Sequence, residues 1–140
     1  MEKFQIATLH RYYIWANRMR DHFDKILPKK QFGVNEIQGI DIEIFMYMSF
    51  WYAELYVVIE GWRKLKLVDE IVDQLLRSEN NIKLLKRYRN AVFHFQRDYY
   101  DDRFMDFIKE GDHIVKWVRD LNDHFSRFFL QYFGRIPKDN

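Results

Sequence analysis

The fold class turns on the stretch Ile40-Asp-Ile-Glu-Ile-Phe-Met-Tyr-Met-Ser-Phe50-Trp-Tyr-Ala-Glu-Leu-Tyr-Val-Val-Ile-Glu60, whose first half reads two ways. Ile40, Ile42, Ile44, Met46 and Met48 alternate as they would along a half-buried strand. A run of about twenty residues interrupted by Glu43, Glu54 and Glu60 is instead long for a strand and suits a helix. The helical reading is adopted, with Asp41 as its N-cap.

Outward from this segment the pattern stays helical. From Phe4 to Leu27, Ile6, Leu9, Tyr13, Ala16, Met19 and Phe23 step by threes and fours along one face. Pro28, Gly33 and Gly39 mark a loop before the central segment. Beyond it, Leu65 to Arg77 repeats the helical step at Val68, Ile71, Val72, Leu75 and Leu76, and the polar group Ser78 to Asn81 ends it or caps the next helix. That next helix is expected over Asn81 to Gln96. Asp98 to Asp102 form a break, followed by a short pattern in Phe104, Phe107 and Ile108 that stops at Gly111, a helix C-cap. Asp112 then caps a last helix carrying Ile114, Val115, Val118, Leu121, Phe125, Phe128 and Tyr132, which Gly134 and Pro137 end. The prediction is an all-α fold: an up-and-down bundle of four long helices with one or two short ones, one domain over residues 1–140.

Composition sets the outer limits. With 48% hydrophobic residues in 140, the chain has enough apolar area for its own core, so wholesale disorder is excluded. Cysteine is absent, which excludes disulfides, thiolate metal sites and a cysteine nucleophile and makes the cytoplasm the expected compartment. The longest charge-free run, Ile44 to Ala53, is about half of what a membrane span needs, and Glu2, Lys3, His10 and Arg11 interrupt anything resembling a secretory leader, so neither a span nor export is expected. Lys and Arg exceed Asp and Glu by 23 to 21, so a polyanionic partner has to be argued from local clustering. Aromatic residues are 19% of the chain, and those at or beside core positions, such as Trp51, Tyr52, Phe93 and Trp117, fill a core or a subunit interface.

The densest chemistry lies in Lys83-Leu-Leu-Lys86-Arg87-Tyr-Arg89-Asn90-Ala-Val-Phe-His94-Phe. On a helix Asn90 and His94 are one turn apart, and Arg89 reaches part of the way toward them. Ala91, Val92, Phe93 and Phe95 would set the imidazole against an apolar wall, where a histidine can be tuned for proton transfer. Lys83, Lys86 and Arg87 are candidates to attract a phosphate backbone; they read equally well as a solvated helix face.

These residues resemble the HEPN superfamily, small all-helical domains whose ribonuclease members carry an Arg, four to six intervening residues and a His, often with Asn or Asp directly after the Arg. Arg89, Asn90 and His94 match at the four-residue spacing. The resemblance implies metal-independent endoribonuclease activity with no cofactor, RNA as substrate, a homodimer whose motifs meet in a cleft, and a toxin or phage-defence setting with an antitoxin protein as a candidate partner. Under it His94 moves protons to and from the 2′-hydroxyl or the leaving oxygen, Arg89 neutralises the phosphorane, and Asn90 orients one or the other. The 2′-hydroxyl is then the nucleophile and a 2′,3′-cyclic phosphate the product. The other expectation is a non-catalytic dimeric adaptor or interaction module, which would bury His94.

Weaker candidates complete the reading. Arg119-Asp120-Leu-Asn-Asp123-His124 satisfies the looser motif, but Arg119 with Asp123 and Asp120 with His124 read as same-helix pairs on a solvated face, and its carboxylates repel phosphate. Glu110 and His113 have di-iron spacing but straddle Gly111, and no zinc or phosphate-loop pattern occurs.

Overall fold

The computed structural model describes residues 2–29, 36–37 and 40–134. Its elements are α1 (Glu2–Ile26) with a closing 3-10 turn (Leu27–Lys29), β1 (Glu36–Ile37), β2 (Ile40–Asp41), α2 (Ile42–Lys64), α3 (Glu70–Leu75), α4 (Glu79–Phe93), α5 (Asp102–Ile108) and α6 (Asp112–Gly134). The chain is an all-α bundle of four long helices and two short ones, with one short antiparallel pair in register Glu36↔Asp41 and Ile37↔Ile40. Gly33, Gly39 and Pro137, with the punctuation expected of them, lie outside the described residues.

Asp41 resolves the ambiguous segment. Its backbone is extended (φ −70°, ψ 124°) as the last rung of the strand pair, while its Oδ1 accepts the Ile44 backbone N–H at 2.9 Å. Alternation thus ends at the residue that starts the helix.

Cross-helix pairs set the directions. Leu9 lies on Gly61 and Phe23 on Trp51, with 5.7 Å between ring centroids, so α1 and α2 run antiparallel. Gly61 allows this close approach, because a Cβ there would press on Leu9 Cδ1 and Leu9 would have to shift. Phe93 faces Phe50 at 6.4 Å while Arg89 reaches Glu60, which makes α4 antiparallel to α2. Tyr13 meets Phe129 at 5.4 Å and Asp24 meets Arg119, which makes α6 antiparallel to α1. The result is up, down, up, down.

The α1 stripe buries Ile6, Leu9, Tyr13, Ala16 and Phe23 as its spacing predicts. On α6 the buried apolar set is Ile114, Trp117, Val118, Leu121, Phe125 and Phe129; of the expected stripe Val115 stays exposed and Phe128 and Tyr132 are half-buried. Lys66 turns the chain at φ 53°, so helix begins only at the Asp69 cap and Val68 is left exposed. Gly111, expected as a C-cap, takes the left-handed conformation of a helix stop at φ 68° but lies just past the Lys109 C-cap of α5.

α2 is also more apolar over its length than the charge-free run alone suggests. An eighteen-residue window of it reaches a mean hydropathy of 1.4, so by length and composition it is apolar enough to cross a membrane, which the charge-free run had concealed. In the bundle that apolarity serves the core: Trp51, Tyr52, Ala53, Leu55, Tyr56, Val58, Ile59 and Trp62 are all buried.

Polar groups cross this core in one ladder. The Trp51 indole N–H donates to Asn122 Oδ1 at 3.1 Å, Asn122 Nδ2 donates to Asn17 Oδ1 at 3.1 Å, and Arg20 Nε donates to the same oxygen at 2.8 Å. Asn122 is 1% exposed, so Asn122→Leu strands the Trp51 N–H in a dry site. The expected cost is about 2 kcal/mol in urea unfolding, and an unchanged midpoint would contradict the ladder's role.

Glu54 lies midway along α2 with Oε2 buried and unpaired among the described residues, and burial holds its carboxyl above the ordinary 4.5. The folded state therefore favours the protonated form, and stability falls as pH rises from the ordinary value toward the raised one. Glu54→Gln is expected to raise the urea midpoint near neutral pH, with the gain shrinking near about pH 4. A lower midpoint at neutral pH would contradict this.

Candidate functional site

The buried stripe of α4, Ile82, Leu85, Tyr88 and Ala91, packs toward α2 and α5 and sets the orientation of the polar residues between them. Tyr88 is locked by a 2.8 Å hydrogen bond with Ser49 and by ring contacts with Tyr52, Phe104 and Phe107. Burial pushes the Tyr52 phenol up to about 12 and raises Tyr88 as well, so both act as neutral packing groups.

Arg89 is held on three sides. Its Nη1 donates to Glu60 Oε1 at 2.6 Å, its Nε donates to Asn90 Oδ1 at 2.9 Å, and its guanidinium carbon lies 4.8 Å from the centre of the Tyr56 ring. No hydrogen bond among the described residues uses Nη2, which leaves one edge of the fork for an oxyanion. Arg89 and Asn90 are thus brought together, and Asn90 orients the arginine.

His94 stands apart from them. α4 ends at Phe93, and His94 is its C-cap in extended conformation (φ −123°, ψ 133°), its backbone N–H donating to Asn90 O at 3.1 Å. The expected helical partnership of Asn90 and His94 therefore exists through the backbone only. The imidazole is exposed, not set against a dry apolar wall. The cause is local: Val92, Phe93 and Phe95 are weak helix formers, and Phe93 and Phe95 are 50% and 94% exposed, so another turn would bury nothing. The chain leaves early instead, and Phe104 and Phe107 of α5 return to Tyr88.

The basic run divides. Lys83 and Lys86 line a 380 Å³ groove between α2 and α4 with Tyr56, Arg63, Glu79 and Asn80, and Tyr56 continues the groove to Arg89. Arg87 turns away to Asp106 of α5 at 2.7 Å and does not join that row. Glu60, Tyr56 and Arg63 were not legible as site residues, since their partners lie on another helix; the Tyr56–Glu60 spacing of one turn was the one available signal.

The second motif is dispersed. Arg119 reaches Asp24 of α1 with bonds of 2.7 and 3.3 Å instead of pairing with Asp123, and Asp120 pairs with Lys116 at 2.6 Å instead of meeting His124. The two-pronged contact to a half-buried carboxylate outcompetes an exposed same-helix pair. Burial pushes the Asp24 carboxyl up, but hydrogen bonds from Arg119 and Arg20 outweigh it and hold it below the usual range. His124 Nδ1 accepts Arg127 Nε at 3.1 Å, and Arg127 is clamped on Asp69. Among the described residues no group of three or more acidic or histidine side chains is placed to hold a metal, and Gly111 separates Glu110 from His113.

Glu60 both positions Arg89 and offsets its charge. Glu60→Gln is expected to change stability by less than about 1 kcal/mol, because the pair is partly solvated, and to tighten binding of a single-stranded oligonucleotide at low salt. Weaker binding would contradict this and show that the hold Glu60 keeps on Arg89 outweighs the charge it offsets.

Compared with protein-family models, with curated proteins and with solved structures, the chain matches none.

Proposed function

We propose that the chain is a metal-independent endoribonuclease of the HEPN kind, cutting single-stranded RNA at a cleft shared by two copies. The observation that carries the reading is Arg89, fixed by Glu60, Asn90 and Tyr56 with an unused guanidinium edge, close in the chain to an exposed His94 just past the end of α4. A preorganised guanidinium stabilises charge developing on a phosphorane without reorganising at the moment of reaction. A histidine open to solvent can take the 2′-hydroxyl proton or return one to the leaving oxygen. No hydrogen bond among the described residues joins the Arg89 and His94 side chains, and in this reading a second copy supplies the complementary member of each pair.

The groove carrying Arg63, Lys83 and Lys86 leads the phosphate backbone toward Arg89, and the exposed rings of Phe93 and Phe95 offer faces on which bases stack. The toxin or phage-defence setting and the antitoxin partner follow from the resemblance to that superfamily, and the cytoplasmic location from the absence of cysteine. The adaptor reading keeps one specific support, the exposed aromatics Trp15, Phe50 and Phe93, while the burial it requires of His94 is not what the fold provides.

The test is cleavage of a long mixed-sequence RNA in EDTA, with the new ends analysed for 2′,3′-cyclic phosphate. Wild type and His124→Ala are expected to cut, with Arg89→Ala and His94→Ala reduced by at least about 100-fold, the usual scale for losing an acid–base or charge-stabilising group. Cleavage that survives both substitutions would overturn the assignment. In binding, Lys83→Ala with Lys86→Ala should lower the salt slope by about 1–2, and Arg87→Ala should leave it nearly unchanged.

A further inference from the structure

We propose that the cleft between α1 and α2 is a binding site for a small amphipathic carboxylate, its chain lying on Leu9, Tyr12, Val57 and Leu65 and its acid group on Lys64. Glu60 lines this cleft, Arg89 does not, and the site does not depend on the ribonuclease reading.

The cleft has a volume of 350 Å³ and is mainly apolar, within the size range of pockets that enclose small ligands. Its floor is Gly61: the missing side chain lets Leu9 settle onto the α2 backbone, and the surface dips beside that crossing. Of the polar groups on its wall, two are already engaged. The Thr8 hydroxyl donates to the Phe4 carbonyl at 2.9 Å, and the Glu60 carboxylate accepts from Arg89 at 2.6 Å.

That second engagement decides the charge of the ligand. Glu60 and Lys64 are one turn apart on α2, the spacing at which a carboxylate and an ammonium ordinarily pair. Arg89 has taken the carboxylate instead, and no ion pair or hydrogen bond among the described residues engages Lys64. An exposed ammonium with an unfilled partner position therefore stands at the mouth of an apolar cleft. The complement is an anion with a hydrocarbon body: an ammonium would meet like charge, and a neutral chain would leave Lys64 unanswered.

The probe is octanoate, with 1-octanol as its neutral counterpart, titrated calorimetrically into wild type, Lys64→Gln, Val57→Trp and, as control, Lys109→Gln on the α5 C-cap. The expected result is binding of octanoate to wild type and Lys109→Gln, weakened by at least tenfold in Lys64→Gln and lost in Val57→Trp, with octanol at least tenfold weaker than octanoate. Lys64 is exposed, so its substitution keeps the test decisive even should Val57→Trp misfold, which far-UV circular dichroism reveals. Absence of octanoate binding to wild type, equal binding to Lys64→Gln, or equal affinity for octanol would each overturn the proposal.

Discussion

A buried indole must place its N–H, and three of this chain's tryptophans do so across helices. Trp51 and Trp62 stand three turns apart on α2, 1% and 2% exposed, so both face the same side. Trp51 donates to Asn122 of α6 and Trp62 to Asp73 of α3, while Trp117 of α6 donates to the Leu75 carbonyl at the end of α3. Each ring contributes a large apolar area only where its N–H finds that acceptor, so the indoles set which helices meet as well as how tightly. α3, six residues long and too short to be stable alone, is held between Trp62 and Trp117 and by the Asp69–Arg127 ion pair.

With α2 fixed between α1, α4 and α6, the functional geometry follows. α4 must present Tyr88 inward, so Arg89 emerges on the edge facing Glu60 and Tyr56, and Arg87 on the edge facing α5. One carboxylate, Glu60, then sits between two surfaces: it anchors Arg89 on one side and, by doing so, leaves Lys64 uncommitted on the other. The position of a guanidinium and the charge of a cleft thus have a common cause.

Periodicity made most of the bundle legible. The α1 stripe, the Asp41 cap, the Gly111 stop and the all-helical class all follow from local spacing, because each depends on neighbours within one turn. What spacing could not reveal was competition between partners distant in sequence. Arg119 prefers Asp24 to its helical neighbour Asp123, and Arg89, besides bonding the adjacent Asn90, reaches across to Glu60 on α2. The same limit applies to the site. Arg89 and Asn90 were readable as adjacent residues, while the carboxylate that holds Arg89 lies on a different helix.

Under the proposed function Arg89 and His94, and not the Arg119 motif, meet the scissile phosphate. This is tested most directly by an NMR titration with a short RNA carrying a 2′-deoxy sugar at the cleavage position, following the arginine Nε–Hε and histidine ring resonances. The Arg89 and His94 signals are expected to shift together and saturate at one concentration, with Arg119 and His124 unmoved. Shifts confined to Arg119 and His124, or saturation with neither Arg89 nor His94 perturbed, would contradict it.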